Sequence, residues 1–164
     1  DMTVYLRSIG KDKPKIQELS FTVHNVNSKM SICNALRQAP QTAGMLDPGV
    51  TLNTDWNQVI NSDNTEDWYL TYLAASDSRI KDGYEAENNG GNTILYKKDG
   101  KTVGGYYEGN SWMWCLTDGD LDSTAYPTIT LSDQKCKDSN FAIILSYDYS
   151  AFPWGDTTGT PEKQ

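Results

Sequence analysis

The stretch that decides the fold is residues 2–39, MTVYLRSIGKDKPKIQELSFTVHNVNSKMSICNALRQA. Apolar and polar residues alternate along 2–9 and again along 16–24, which is the period of a half-buried β-strand. The residues between them, 10–14, have the Gly, Asp and Pro composition of a turn. These three segments therefore predict an antiparallel β-hairpin at the start of the fold.

The second part of this stretch changes its period. From Met30 to Ala39 the apolar residues recur at steps of three and four, and Pro40 follows. This spacing predicts one short amphipathic helix, with Ser28 or Ser31 available as its N-cap. We expect Ile32, Cys33 and Leu36 of the helix to pack on a sheet that contains the following residues: Val4, Leu6, Phe21, Val23, Ile143 and Leu145.

Strand signals continue in the second half of the chain. Asp99-Gly100 predicts a hairpin between 93–97 and 101–107. Further strands are predicted at 111–117, 126–131 and 141–149. By contrast, residues 41–92 are rich in Gly, Pro, Asn and Asp, and they predict a long irregular insertion with only two short strands, 50–52 and 68–75.

This order of elements predicts an α+β fold of the β-grasp type, in which a mixed sheet opens with a hairpin and carries one short packed helix. A β-sandwich with an incidental helix is the alternative. We expect residues 1–154 to form a single globular binding domain. Residues 155–164 contain only Gly, Asp, Thr, Pro, Glu, Lys and Gln, and they predict a linker to other domains of the same polypeptide.

Charge and hydropathy exclude several classes of partner. The formal net charge is -8 and the isoelectric point is about 4.5, whereas nucleic-acid binding requires clustered Lys and Arg. No stretch approaches the roughly 20 apolar residues of a membrane-spanning helix. We therefore expect no nucleic-acid partner and no membrane span in this segment.

The side chains that usually carry catalysis are scarce. His24 is the only histidine, it lies in a strand-like run, and no nucleophile motif is near it. Gly104-Gly105 is not followed by the residues of a phosphate-binding loop. We therefore predict that the chain is not an enzyme, and a hydrolase with a pair of carboxylates remains as the alternative.

The sequence predicts no cofactor. Cys33, Cys115 and Cys136 lack the C-x-x-C spacing of a zinc site. Cys33 is expected to be buried on the helix, and pairing of Cys115 with Cys136 is left open.

A calcium site remains an open alternative at Asp118, Asp120 and Asp122, because these residues alternate as in a calcium-binding loop. The Gly and Glu that an EF-hand requires are replaced by Ser123 and Ile129.

Aromatic side chains are abundant, with five Trp and ten Tyr. Sugar rings stack their C–H faces on such rings, while their hydroxyls bond to Asn, Asp and Gln. We expect Trp112 and Trp114 to be core residues, because they lie two apart on one strand. The candidate ligand-binding residues are Trp56, Trp68, Tyr84, Tyr106 and Trp154. We expect at least two of four of these to line one groove, namely Trp56, Trp68, Tyr84 and Trp154.

Three short motifs resemble an extracellular bacterial domain family related to the C-terminal domain of transcobalamin and intrinsic factor. They are TVYLR at 3–7, KMSICNAL at 29–36 and GNSWMW at 109–114. The resemblance implies a β-grasp-like fold, a surface protein of a Gram-positive bacterium and a small ligand such as cobalamin. The composition is also similar to that of carbohydrate-binding modules from gut bacteria.

The leading functional hypothesis is a secreted or cell-surface carbohydrate-binding module without catalytic activity. We expect its ligand to be a neutral polysaccharide, with an α-glucan such as starch as the first choice. Two alternatives remain. One is a surface domain that binds cobalamin or another small ligand, and the other is an adhesive or structural spacer that binds protein.

Overall fold

The computed structural model describes residues 1–12, 15–61, 63–80 and 82–164. Within these residues the chain is rich in β-strands and contains one short α-helix. The strands form a mixed sheet of six and an antiparallel sheet of three. In chain order, the elements are β1 (Met2–Ile9), β2 (Lys15–Val23), α1 (Ile32–Gln38), a 3-10 turn (Ala39–Gln41), β3 (Val50–Ile60), β4 (Glu66–Asp77), β5 (Tyr84–Glu87), β6 (Ile94–Lys98), β7 (Lys101–Thr117), β8 (Phe141–Gly155) and β9 (Thr160–Lys163).

The six-stranded sheet has the order β2-β1-β8-β7-β6-β9. Strands β1 and β8 are parallel, and the other neighbours are antiparallel. The predicted opening hairpin is present as β1 and β2, although Lys13 and Pro14 of its turn lie outside the described residues. The hairpin predicted at Asp99-Gly100 is also present, as β6 and β7.

The helix packs as its spacing predicts. Ser31 is the N-cap, and its Oγ accepts the N–H of Asn34 at 3.0 Å. Ile32, Cys33 and Leu36 are buried, and they belong to one core with the apolar residues of β1, β2 and β8. Leucines of β3 and β4 enter the same core, so the hydrophobic interior lies between the two sheets and the helix.

The prediction of an irregular middle is wrong for most of residues 41–92. Strands β3, β4 and β5 form the three-stranded sheet there. A bulge between Asp55 and Trp56 shifts the register of β3 against β4. The inserted residue interrupts the alternation along the strand. The side chains of β3 are also mostly exposed, so the strand lacks an apolar pattern.

Two other predicted strands differ from the structure. Residues 126–131 are not a strand, and Pro127 offers no N–H to a ladder. Residues 101–107 and 111–117 form one continuous strand, β7, across Gly109. A Cβ at position 109 would lie 1.8 Å from the carbonyl oxygen of Asn89. Glycine therefore permits a close backbone approach here rather than a turn.

The segment predicted to be a linker, residues 155–164, contains strand β9. This strand pairs with β6 and forms one edge of the large sheet. Its side chains are exposed. A polar composition is compatible with this position, because an edge strand contributes backbone hydrogen bonds and needs no apolar face.

The three cysteines are buried and free, so Cys115 and Cys136 are not paired. Burial raises the pKa of Cys33 and of Cys136 to about 11. Both thiols therefore remain protonated at neutral pH and act as small apolar side chains.

Candidate ligand-binding cavity

A cavity of about 300 Å³ lies where β4 of the small sheet meets β7 of the large sheet. Residues 126–131 form its third wall. We call this the aromatic cavity, because five aromatic rings line it. They are Trp68, Tyr69, Trp112, Trp114 and Tyr126.

Trp112 and Trp114 are fixed by indole hydrogen bonds in addition to packing. The Nε1–H of Trp112 donates to the carbonyl of Ala86 at 3.2 Å, and that of Trp114 donates to the carbonyl of Ile129 at 3.2 Å. The two rings are only 9% and 8% exposed, which confirms the prediction that they are core residues. They form the floor of the cavity, and their orientation is set before any ligand binds.

Trp68 is half-buried at the cavity wall. The guanidinium of Arg37, on helix α1, lies 4.5 Å from the centroid of the Trp68 ring, which is cation–π distance. The backbone N–H of Trp68 donates to Ser132 Oγ at 3.0 Å. Tyr69 follows on the same strand and is 47% exposed. It is the most exposed of the five aromatic residues of the cavity.

Asn88 joins two walls of the cavity. Its Nδ2 donates to the carbonyl of Leu70 on β4 at 3.2 Å, and its Oδ1 accepts the backbone N–H of Trp112 on β7 at 2.9 Å. β6 pairs only with the first part of β7. The N–H of Trp112 therefore lies on an edge of β7 that has no neighbouring strand. The side-chain amide of Asn88 takes the place of a strand at this edge and sets the distance between β4 and β7.

Arg7 holds the third wall. This fully buried side chain donates to Ser146 Oγ at 2.9 Å, to the carbonyls of Leu121 and Ser123 at 2.9 and 2.7 Å, and to the Tyr126 hydroxyl at 2.8 Å. The hydroxyls of Tyr126 and Ser146 each donate to the carboxylate of Asp148. The segment that carries Tyr126 is therefore attached to β1 and β8 by a polar network.

The Tyr126 hydroxyl remains a donor over the whole physiological range. Burial and the hydrogen bond to Asp148 raise the pKa of Tyr126 to about 12. The guanidinium of Arg7 and the carboxylate of Asp148 are thus joined through neutral hydroxyl groups.

The carboxyl groups of Asp67 and Asp133 lie beside the cavity and shift each other's pKa in opposite directions. Asp67 accepts one hydrogen bond from the amide of Asn61 at 2.9 Å and another from the hydroxyl of Thr130 at 3.2 Å. The bond from Asn61, followed by that from Asp133, lowers the pKa of Asp67. The bond to Asp67, followed by burial and the charge of Asp67, raises the pKa of Asp133. Asp67 therefore loses its proton before Asp133 does.

Of the residues predicted to bind ligand, the cavity contains only Trp68. Trp56 packs against the core, and its indole donates to Thr54 Oγ1 at 2.8 Å. Tyr84 meets the Trp112 ring edge-on at 5.9 Å, and its hydroxyl lies 2.7 Å from Ser8 Oγ. Tyr106 and Trp154 lie on β7 and β8, opposite Pro153 and Gly105 respectively. The expected groove with two of Trp56, Trp68, Tyr84 and Trp154 is not formed by this cavity.

Sequence reasoning missed Tyr69, Asn88 and Tyr126 as cavity residues. Asn88 lies in the segment 41–92 that is predicted to be irregular, and Tyr126 begins the strand predicted at 126–131. The pair Tyr126-Pro127 is the one local signal against that strand, because proline is disfavoured within a sheet.

The described residues contain no group of three His, Cys, Asp or Glu side chains arranged to hold a metal ion. Asp120 instead accepts the backbone N–H of Asp122 at 2.9 Å in a local turn. Among the same residues, no helix is long and apolar enough to cross a membrane.

Comparison of the chain with protein-family models, with curated proteins and with solved structures returned no match.

Proposed function

We propose that the chain is a non-catalytic carbohydrate-binding module, secreted or at the cell surface, that takes a neutral glycan in the aromatic cavity. The observation that carries this proposal is the lining of the cavity. Its rings are accompanied by hydroxyl and amide groups, and none of the described lining residues is charged. A volume of about 300 Å³ is at the lower end for small-ligand sites and suits one or two sugar units.

The chemistry of such a site matches these side chains. The C–H face of a pyranose stacks on the exposed ring of Tyr69 or on Trp68. Its hydroxyls can bond to the polar groups at the rim, including Ser111, Thr128 and Thr130. Because Asn88 and Arg7 fix the walls, little ordering is needed on binding, which favours affinity.

The carboxyl pair supports a binding role over hydrolysis. Glycosidases separate their two carboxyl groups by about 5 Å or more, so that a sugar or a water fits between them. Asp67 and Asp133 differ from such a pair, because the two carboxyl groups act on each other and Asp67 is also held by the Asn61 amide and the Thr130 hydroxyl.

We also propose the β-grasp assignment and, with it, the resemblance to bacterial surface domains related to transcobalamin. Its support is the strand order β2-β1-β8-β7 with a parallel central pair and a helix directly after the hairpin.

The test is affinity electrophoresis in gels that contain soluble starch, followed by a panel of other neutral polysaccharides. Tyr69→Ala should lower the affinity for the bound glycan about thirtyfold, the usual effect of removing an aromatic contact worth about 2 kcal/mol. Tyr72→Ala is the matched control, because Tyr72 lies on the same strand, outside the cavity, with its hydroxyl on Glu85. Unchanged binding by Tyr69→Ala, or no retardation of the wild type by any glycan, would contradict the proposal.

A further inference from the structure

Gly105 on β7 and Trp154 on β8 lie opposite each other in the large sheet, outside the aromatic cavity. A Cβ at position 105 would lie 2.6 to 2.7 Å from three ring atoms of Trp154, namely Cζ2, Cε2 and Nε1. At these distances the Nε1 edge of the indole occupies the space at Gly105 that a side chain would otherwise fill. Trp154 is 42% exposed, so part of its side chain is open to solvent.

A second exposed ring continues this surface. Phe152 lies two residues from Trp154 on β8, so both side chains are on the same side of the sheet, about 7 Å apart along the strand. Phe152 is 47% exposed, and it packs against Tyr107 with the ring centroids 5.6 Å apart. We call Trp154 and Phe152 together the aromatic platform.

Two ion pairs lie in this half of the sheet. Lys98 Nζ lies 2.7 Å from Asp156 Oδ2, and Lys97 Nζ lies 3.8 Å from Glu162 Oε2. These pairs cancel in sign. The two rings of the platform carry no charge themselves, which suits an uncharged ligand.

The size of the platform argues against a protein partner. Two rings of about 150–250 Å² each, less than half exposed, offer roughly 200 Å². A stable protein interface needs about 800 Å² on each side. A chain of sugar rings needs only a few stacking contacts, and it lies flat on a sheet surface.

We propose that the aromatic platform is a second carbohydrate-stacking site, which binds sugar units of the same neutral polysaccharide as the cavity. This inference rests on the proposed ligand class but not on the cavity itself. Gly105 lies six residues from Ser111 at the cavity, about 20 Å along β7. The two sites are thus separate, and a long chain gains affinity by occupying both.

The experiment is oxidative footprinting of the tryptophans, read by mass spectrometry, with and without soluble starch and then dextran, xylan and mixed-linkage β-glucan. At least one polysaccharide should protect Trp154. For that polysaccharide, Trp154→Ala should lower the affinity about tenfold or more, while protection of Trp68 at the cavity persists. Because Trp68 and Trp154 are read separately, failure of the cavity and failure of the platform are distinguished.

Gly105→Ala supplies a second variant that keeps every aromatic residue, because its Cβ displaces the Trp154 ring from its seat. It should reduce polysaccharide binding in the same direction as Trp154→Ala. Equal oxidation of Trp154 with and without all four polysaccharides would overturn the proposal. Protection that depends on protein concentration alone, accompanied by dimers in sedimentation, would also overturn it in favour of a second copy of the chain.

Discussion

Arg7 and Asp148 are opposite charges inside the protein that do not touch directly. They are joined through the hydroxyls of Ser146 and Tyr126. Alternation along β1 places Arg7 on the opposite side from Val4 and Leu6, and the structure covers that side with the segment carrying Tyr126. The buried charge thereby organises a loop, because a guanidinium can satisfy several acceptors at once.

Arg7→Met should destabilise the protein by about 3–5 kcal/mol, since it leaves the buried Asp148 carboxylate without a countercharge. The double variant Arg7→Met/Asp148→Leu should recover a large part of this loss. Urea unfolding of the two single variants and the double variant measures the coupling. Additive effects would show that the network does not act as a unit.

Asp133→Asn tests the coupling between the ionisation of Asp67 and that of Asp133. The raised pKa of Asp133 means that its favourable contribution is present below its ordinary pKa and is lost as the pH rises through the raised value. The lowered pKa of Asp67 has the opposite effect. The stability that the Asp67 carboxylate contributes is lost as the pH falls through the lowered pKa. An asparagine at 133 donates to Asp67 without ionising.

We therefore expect the melting temperature of Asp133→Asn to rise relative to the wild type as the pH goes from acid to neutral. Thermal unfolding followed across this range is the measurement. Asp118→Asn, at an exposed loop position, is the control for removal of one negative charge. A difference from the wild type that does not change with pH would contradict the coupling of the two carboxyl groups.

At the scale of elements, helix α1 is too short to be stable on its own, because isolated helices shorter than about 12 residues are marginal in water. It has seven residues. Its stability comes from the N-cap at Ser31 and from the apolar side that it buries against both sheets. Its position also matters for the cavity, since Arg37 of this helix covers Trp68.

Leu36→Ala should cost about 2–5 kcal/mol in the free energy of unfolding, which is the usual range for a fully buried leucine. Chemical denaturation gives the value. Asn34→Ala, on the exposed side of the same helix, should change stability by less than about 0.5 kcal/mol. A loss below that value for Leu36→Ala would mean that the helix does not support the core.

At the scale of the whole molecule, the large sheet runs from β2 to the C-terminal strand β9. Residues 160–163 close one edge of this sheet by backbone pairing with β6. The aromatic platform lies in the same half of the sheet, where Trp154 and Gly105 face each other on β8 and β7. The last residues of the described chain are thereby part of the folded unit rather than an appendage.

Hydrogen exchange followed by mass spectrometry tests this role of β9. Amides in 160–163 that pair with β6 should exchange clearly more slowly than those of an unstructured peptide. Removal of residues 159–164 should in turn speed exchange in β6, because its outer edge becomes open to water. Exchange of 160–163 at the unstructured rate would restore the interpretation of this segment as a linker.

The amino-acid sequence by itself determined the hairpin of β1 and β2, the helix, the turn at Asp99-Gly100 and the burial of Trp112 and Trp114. Each depends on a local signal, either the period of apolar residues or a turn dipeptide. The strand predicted at 126–131 is absent, and Pro127 within it offers no N–H to a ladder. The middle sheet was missed because β3 buries few side chains and contains a bulge.

Only the tertiary structure decided which aromatic residues meet. Trp68, Asn88, Trp112 and Tyr126 are distant in the chain, and they come together because β4 packs beside the free edge of β7 and Arg7 draws the segment of Tyr126 against β1 and β8. The position of Trp154 on Gly105 is likewise set by the register of β7 against β8. Such contacts depend on pairing between distant strands, which no local pattern of residues encodes.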